Sequence, residues 1–270
     1  MADINEIASR LILAYDRAET LAPFTSTDPN FDIAQGYAVQ HEILTRRQAQ
    51  GWQPVGRKIG FTNRSIWPRY NVDRPLWAHV WSRTLHFAEN GSAEISLAPF
   101  AQPRIEPEVV FKLRGNIPVT EDPNVALESV EWIAAGFEIV QSHFPNWKFK
   151  APDCAAGFGL HGALVVGRPV TVDANNRRAL VGLLESFTLT LRRGDQVMET
   201  GTGAVVLGNP ALALAYLAGV LAEQPQFPAL AAGEIVTTGT LTDALPITPG
   251  EVWFSDYGLL GVQGIKILFR

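Results

Sequence analysis

The chain changes its periodicity once, at Gly51, and that change limits the folds open to it. Before it, apolar residues recur at helical spacing: Ile4, Ile7, Ala8, Leu11, Ile12 and Tyr15 make one stripe of the i, i+3, i+4 kind. Asp32 stands where a helix N-cap belongs, and a second helix is expected from there to about Gln50, with Ala34, Tyr37, Ala38, His41, Ile43 and Leu44 on its apolar side. After Gly51, short apolar runs alternate with Gly, Pro, Asn and Asp, the pattern of many strands joined by turns. Strands are expected over 55–61, 106–113, 132–140, 162–166, 187–192, 234–237 and 252–255. One further helix is marked by Asn209 as N-cap and Pro210 at its first position, running to about Glu223, where Gln224-Pro225-Gln226-Phe227-Pro228 stops it. The expected class is α+β and β-rich: a mixed β fold with N-terminal helices and peripheral helices. Residues 1–80 read as an N-terminal helical segment and lid, and 81–270 as a β-rich catalytic domain, the two forming one continuous unit.

A chain of 270 residues with 47% hydrophobic content buries a large core without staples. Its net charge of −5, without a long Lys/Arg run, leaves no electrostatic footprint for nucleic acid or anionic membrane. Cys154 is the single cysteine, so an internal disulfide and a Cys-rich zinc site are excluded, and a cytoplasmic location is expected. The start Met1-Ala2-Asp3-Ile4-Asn5-Glu6 lacks the basic and apolar parts of a secretory leader, and no unbroken apolar run of membrane-spanning length is expected. Gly157-Phe158-Gly159-Leu160-His161-Gly162 matches the letters of a dinucleotide fingerprint, yet Ala163-Leu164-Val165-Val166 reads as a strand where that motif needs a helix. No phosphate loop, nucleophile-elbow serine or His-Glu-x-x-His helix is present.

Charge placement is more telling than charge number. In Arg104-Ile105-Glu106-Pro107-Glu108-Val109-Val110-Phe111 the two-residue period of a strand turns both glutamates to one face. Such a pair ordinarily marks a solvated face. Glu138, however, lies inside Ala134-Ala135-Gly136-Phe137-Glu138-Ile139-Val140, where an unpaired charge is costly to bury. A hard divalent cation such as Mg²⁺ is the economical compensation, because oxygen ligands suit it and it keeps positions open for water or substrate. Three carboxylates, one such ion and Lys58 sum to zero, and a neutral site can be buried.

The order Lys58-Ile59-Gly60-Phe61-Thr62, Ile105-Glu106-Pro107-Glu108, Phe137-Glu138-Ile139-Val140, Trp147-Lys148 and Asp153 resembles the fumarylacetoacetate hydrolase superfamily, and within it the 2-oxo-acid hydratase and 4-oxalocrotonate decarboxylase branch. Leu207-Gly208-Asn209-Pro210, Gly233-Glu234-Ile235-Val236-Thr237-Thr238-Gly239-Thr240 and Pro249-Gly250-Glu251 agree, so the resemblance spans nearly the whole chain. It implies a fumarylacetoacetate hydrolase-like fold, a Mg²⁺ or Mn²⁺ cofactor held by Glu106, Glu108 and Glu138, Lys58 as catalytic lysine, substrate contacts at Gly60, Phe61 and Thr240, a role for Asp153, and a homo-oligomer. There are departures. Gln141-Ser142-His143 stands where the branch carries Asp-Ser-Arg, Ala155-Ala156-Gly157 where it carries Ala-Asp-Asn, and the stretch from Asn71 to His79 where an Asp-Tyr-Gly is common. His79 and His143 are the candidates to replace a lost acid or base.

What the resemblance implies chemically is a hydratase that adds water to a 2-hydroxy-2,4-dienoate through its 2-oxo-enoate form. Decarboxylation of a 4-oxalocrotonate-like diacid and cleavage of an acylpyruvate are the alternatives, and a non-catalytic 2-oxo-acid-binding protein is the alternative of another class. Lys58 would deprotonate the enol or hold the carboxylate, given a nearby cation and partial burial to lower its pKa toward neutrality. Trp67, Trp77 and Trp81 suggest an apolar substrate tail or core packing, and Arg57, Arg64 and Arg69 a seat for a distal carboxylate.

Overall fold

The computed structural model describes residues 3–70 and 72–270, with Arg69 and Tyr70 described by their backbone. Its strands are β1 (Pro54–Gly60), β2 (Leu76–Trp81), β3 (Leu85–Phe87), β4 (Ser92–Ile95), β5 (Arg104–Leu113), β6 (Val130–Val140) and β7 (His161–Val166). They continue as β8 (Val170–Thr171), β9 (Thr188–Arg193), β10 (Gln196–Thr202), β11 (Ile235–Thr237), β12 (Leu245–Pro246), β13 (Val252–Asp256) and β14 (Lys266–Phe269). The helices are α1 (Ile4–Arg17), α2 (Phe24–Thr27), α3 (Ile33–Ala49), α4 (Trp67–Tyr70), α5 (Pro123–Glu128), α6 (Ala151–Ala156), α7 (Arg177–Ser186) and α8 (Pro210–Ala222).

Local chemistry accounts for the helix ends. The Asp3 carboxylate receives the N–H groups of Asn5 and Glu6 at the start of α1. Asp32 and Gln35 form a reciprocal capping box on α3, and Asn209 with Pro210 opens α8, each as the sequence predicts.

Nine strands form one mixed sheet in the order β2-β1-β11-β5-β6-β7-β3, with β12 added to β5 and β8 to β6, and five form a second sheet, β10-β9-β13-β14-β4. The pleat of β5 and β6 decides what each face holds. Ile105, Val109, Phe111, Phe137 and Ile139 point into a core shared with Leu189, Leu191, Trp253 and Phe269 of the second sheet. Each fully buried residue of this kind stabilises by roughly 1.5–3 kcal/mol. The opposite face carries Glu106, Glu108 and Glu138, and beyond them a smaller apolar cluster with Val110, Ala134 and Leu164.

Residues on both sides of position 80 share the large sheet, because β1 and β2 are hydrogen-bonded into it through β11. Helices α2, α4, α5, α6 and α7 and strands β2, β3, β4, β8, β10, β12 and β14 are additional to the expected ones. β2 is buried on both faces and therefore shows no alternation, and α7 has only Leu180 and Leu184 to bury. Residues 203–222 are, by length and composition, apolar enough to span a membrane, with Asn209 interrupting the run. The span includes α8, whose Ala211, Leu214, Leu217 and Leu221 are packed into the main core.

Candidate active site

Strand pairing assembles the acidic cluster. Glu106 on β5 faces Glu138 on β6, and Glu108 faces Gly136, so the three carboxylates share one end of one sheet face. One oxygen from each lies within 4.8 Å of the others. Like charges directly across a ladder are destabilising, and here nothing on the neighbouring strands neutralises all three.

Each acid is held differently. Glu138, fully buried, takes His161 Nδ1 at 2.8 Å on Oε1 and faces Lys58 Nζ at 3.1 Å with Oε2. Burial pushes its pKa up, but Lys58 and His161 outweigh that and hold it below the usual carboxylate value. Glu108, also fully buried, accepts through Oε2 from Thr237 Oγ1 and from the Gly239 N–H, while Oε1 has no hydrogen-bond partner. Burial and the neighbouring acids push it well up, against Lys58 and Thr237. Glu106 is partly open to the cavity. Burial raises it to about 7, with Lys58 and Arg104 opposing and Glu138 adding to the rise. A bare, buried oxygen on Glu108 beside two further carboxylates is what an oxygen-liganded divalent ion requires, so the donor set fits Mg²⁺ or Mn²⁺.

Lys58 reaches this cluster from β1. Its Nζ donates to the Gly159 carbonyl at 3.0 Å, in a turn where Phe158, Gly159 and Leu160 all have positive φ. Non-glycine residues in that region are rare and persist only where surrounding structure enforces them. Burial pushes the Lys58 pKa down, but Glu138, Glu106 and Glu108 together prevail and raise it.

A narrow cavity of about 70 Å³ opens from these groups, with Lys58, Gly60, Phe61, Glu106 and Thr240 among its lining. Phe61 sits there with φ 57, its carbonyl accepting from Trp67 Nε1 at 2.7 Å. Gly239 has φ +99, and a Cβ there would collide with Thr62 Oγ1. The turn leading to Thr240 thus needs glycine.

Other expected site residues lie elsewhere. Asp153 is fully buried, accepting from Thr25 N (3.0 Å), Thr25 Oγ1 (2.6 Å) and Lys150 N (3.0 Å), and it joins α2 to α6 outside the cavity. His143 has Nδ1 2.9 Å from the Glu19 carbonyl and packs on Tyr15 and Phe158, with its pKa lowered by burial. His79 is wedged among Trp77, Trp81 and Phe227, and burial and Arg57 lower its pKa well below the ordinary value. Neither histidine lines the cavity. Gln141 likewise turns inward, receiving the Ala101 N–H, so the departure at 141–143 changes internal packing. Trp77 and Trp81 are core residues. Arg57 pairs with Glu234 at 2.8 Å, and Arg64 stacks on Trp67; the side chain of Arg69, and Asn71, lie outside the described residues.

His161 is the residue that sequence reasoning missed. Its Nε2 lies 2.8 Å from Thr84 Oγ1 and its Nδ1 orients Glu138, the arrangement in which an outer partner fixes a metal-binding carboxylate. Its only sequence signal was its place at the head of a strand paired with Glu138's own strand.

Residues 63–260 match the sequence profile of the fumarylacetoacetate (FAA) hydrolase C-terminal family. The chain is 32% identical over 268 residues to 2-keto-4-pentenoate hydratase of Paraburkholderia xenovorans, covering 98% of this chain and 94% of that one. It is 31% identical over 250 residues to 4-oxalocrotonate decarboxylase of a Pseudomonas species, covering 92% and 91%. Its backbone is similar to that of 4-oxalocrotonate decarboxylase from Pseudomonas putida G7 in complex with magnesium and adipate, with a TM-score of 0.88, 23% identity and coverage of 99% and 97%.

Proposed function

Because the chain belongs to the fumarylacetoacetate hydrolase family, we propose that it is a divalent-metal-dependent hydratase acting on a 2-hydroxy-2,4-dienoate. The observation that carries this is three carboxylates meeting within 4.8 Å at one end of a cavity, with a lysine 3.1 Å from one of them. Glu106, Glu108 and Glu138 hold the Mg²⁺ or Mn²⁺, which supplies Lewis-acid polarisation of the substrate's 2-oxygen when bound.

The reaction adds one water overall. The 2-hydroxyl loses its proton as one arrives at carbon 5 to give the 2-oxo-3-enoate; water then attacks carbon 4 and loses a proton as one is taken up at carbon 3. Lys58 spends contacts on Glu138 and the Gly159 carbonyl and has a further N–H to offer. Its Nζ pairs with the incoming carboxylate, and a divalent cation neutralising the three acids would bring its pKa down toward the range in which it could take up the 2-hydroxyl proton. Thr240 lines the same cavity, where it stands ready to contact the substrate carboxylate. The apolar walls keep bulk water from the reacting carbons.

Incubating the protein with Mg²⁺ and 2-hydroxydienoates should consume their ultraviolet absorbance. Absence of turnover, together with tight retention of a 2-oxo acid, would make it a binding protein instead. The second reading, a decarboxylase of 4-oxalocrotonate-like diacids, is favoured by the 31% identity to such an enzyme, and carbon dioxide release tests it. The proposal includes a cytoplasmic homo-oligomer, supported by the family resemblance and by the buried lone thiol of Cys154, and sedimentation of the purified protein tests the assembly.

A further inference from the structure

Resting on the hydratase reading, we propose that Trp147 makes the far end of the cavity apolar by covering Arg104. It thereby selects dienoates with a hydrogen or short alkyl tail over those that end in a second carboxylate.

Strand geometry alone points the other way. Beyond Glu138 the same face of β6 continues to Val140, roughly 7 Å further on. Across from Val140 stands Arg104, two residues before Glu106 and on its face of β5. A guanidinium there would suit a diacid whose 2-oxo end is held at the carboxylate cluster.

The cavity meets something else. Trp147 lines it and Arg104 does not. The guanidinium carbon of Arg104 lies 4.2 Å from the Trp147 ring centroid, and its Nη1 donates to the Ala244 carbonyl at 3.5 Å. Around the indole, Leu76, Val140, Leu160 and Cys154 form a buried apolar cluster. Among the described lining residues Lys58 is the sole cation, and it is engaged by Glu138 and Gly159. Asp243 adds a carboxylate at the exposed rim. A second substrate carboxylate would therefore be stripped of water and meet, among the described lining, only the neutral amide and hydroxyls of Asn63, Thr240 and Thr242 in place of a cation.

The indole is a fixed wall. Asn146 and Trp147 both hold positive φ, 57° and 58°, a rare conformation for a bulky residue. Gln102 secures it at several points. Its carbonyl accepts from Trp147 Nε1 at 3.1 Å, its Oε1 accepts the Asn146 N–H at 2.8 Å, and its Nε2 donates to the carbonyls of Ser142 and Phe144.

The test compares two six-carbon substrates on the Mg²⁺-loaded protein: 2-hydroxyhexa-2,4-dienoate and its diacid counterpart, 2-hydroxyhexa-2,4-dienedioate. Wild-type kcat/KM should favour the monoacid by on the order of a hundredfold. Trp147→Ala should cut that preference by about tenfold or more through a gain on the diacid, Trp147→Phe should keep it, and adding Arg104→Met to Trp147→Ala should erase the gain. Calorimetric binding of 2-oxopentanoate against 2-oxoglutarate reads the same selectivity without turnover and needs no variant, so a Trp147→Ala that fails to fold does not remove the test. Equal handling of monoacid and diacid by the wild type, or a folded Trp147→Ala with an unchanged ratio, overturns the proposal. Failure to turn over any dienoate would overturn the hydratase reading, whereas preferential binding of 2-oxopentanoate would still support the apolar subsite.

Discussion

Asp153 and Glu108 are both fully buried acids, yet their surroundings differ in kind. Around Asp153, where α2 meets α6, both oxygens are occupied by donors from Thr25 and Lys150. Around Glu108, where β5 meets β11, one oxygen is occupied and the other is bare, with two more carboxylates alongside. A saturated buried acid holds the chain together and is accounted for by folding alone. A bare one among its own kind raises the energy of the protein by itself, and the account closes only with a ligand.

The contrast can be broken by substitution. The largest effect is expected at Lys58, where Lys58→Met should lower kcat on the order of 10³-fold while Mg²⁺ affinity holds. Unchanged kinetics would remove this lysine from the mechanism. Glu108→Gln should weaken Mg²⁺ binding by about 10²-fold while leaving the melting temperature of EDTA-treated protein nearly unchanged, because burial and the neighbouring acids already favour a neutral carboxyl there; full metal affinity in this variant would refute the ligand assignment. Asp153→Asn should do the reverse, costing about 1–3 kcal/mol in denaturant unfolding with Mg²⁺ affinity unaltered. The smallest effect concerns pH. Since burial raises Glu106 to about 7, its neutral form is the one the fold favours. Its contribution is present below the unfolded carboxylate value and is lost as pH rises through about 7. EDTA-treated protein should therefore melt lower as pH is raised from 5.5 to 8, and Mg²⁺, which binds better over the same rise, should flatten that trend. A flat profile in EDTA would show that burial does not hold Glu106 in its neutral form.

How much of this was readable beforehand depended on periodicity. Strands half in the core, such as β5 and β6, announce themselves through alternation, and the acids that break the apolar pattern point to the site. β2 is buried on both faces, so its six residues look like any apolar run. Sequence gathers Lys58 and the three acids but does not say which acid the lysine touches; its 3.1 Å contact with Glu138 Oε2 comes only from strand pairing. His161 escaped notice for the same reason: its partner Glu138 is 23 residues away and becomes adjacent only through strand pairing. Asp153 and His143 were drawn into the site by their nearness in the chain to Trp147 and Glu138, and in space their polar atoms face the N-terminal helices.

The link between Glu108 Oε2 and the Gly239 N–H, 2.7 Å long, has a mechanical meaning. The carboxylate that offers its other oxygen to the cation also tethers the loop that presents Thr240. On the proposed reading, cation seat and anion seat share one carboxylate, so their spacing is set before any molecule arrives, and the entropy of bringing them into register is spent during folding, ahead of each catalytic cycle.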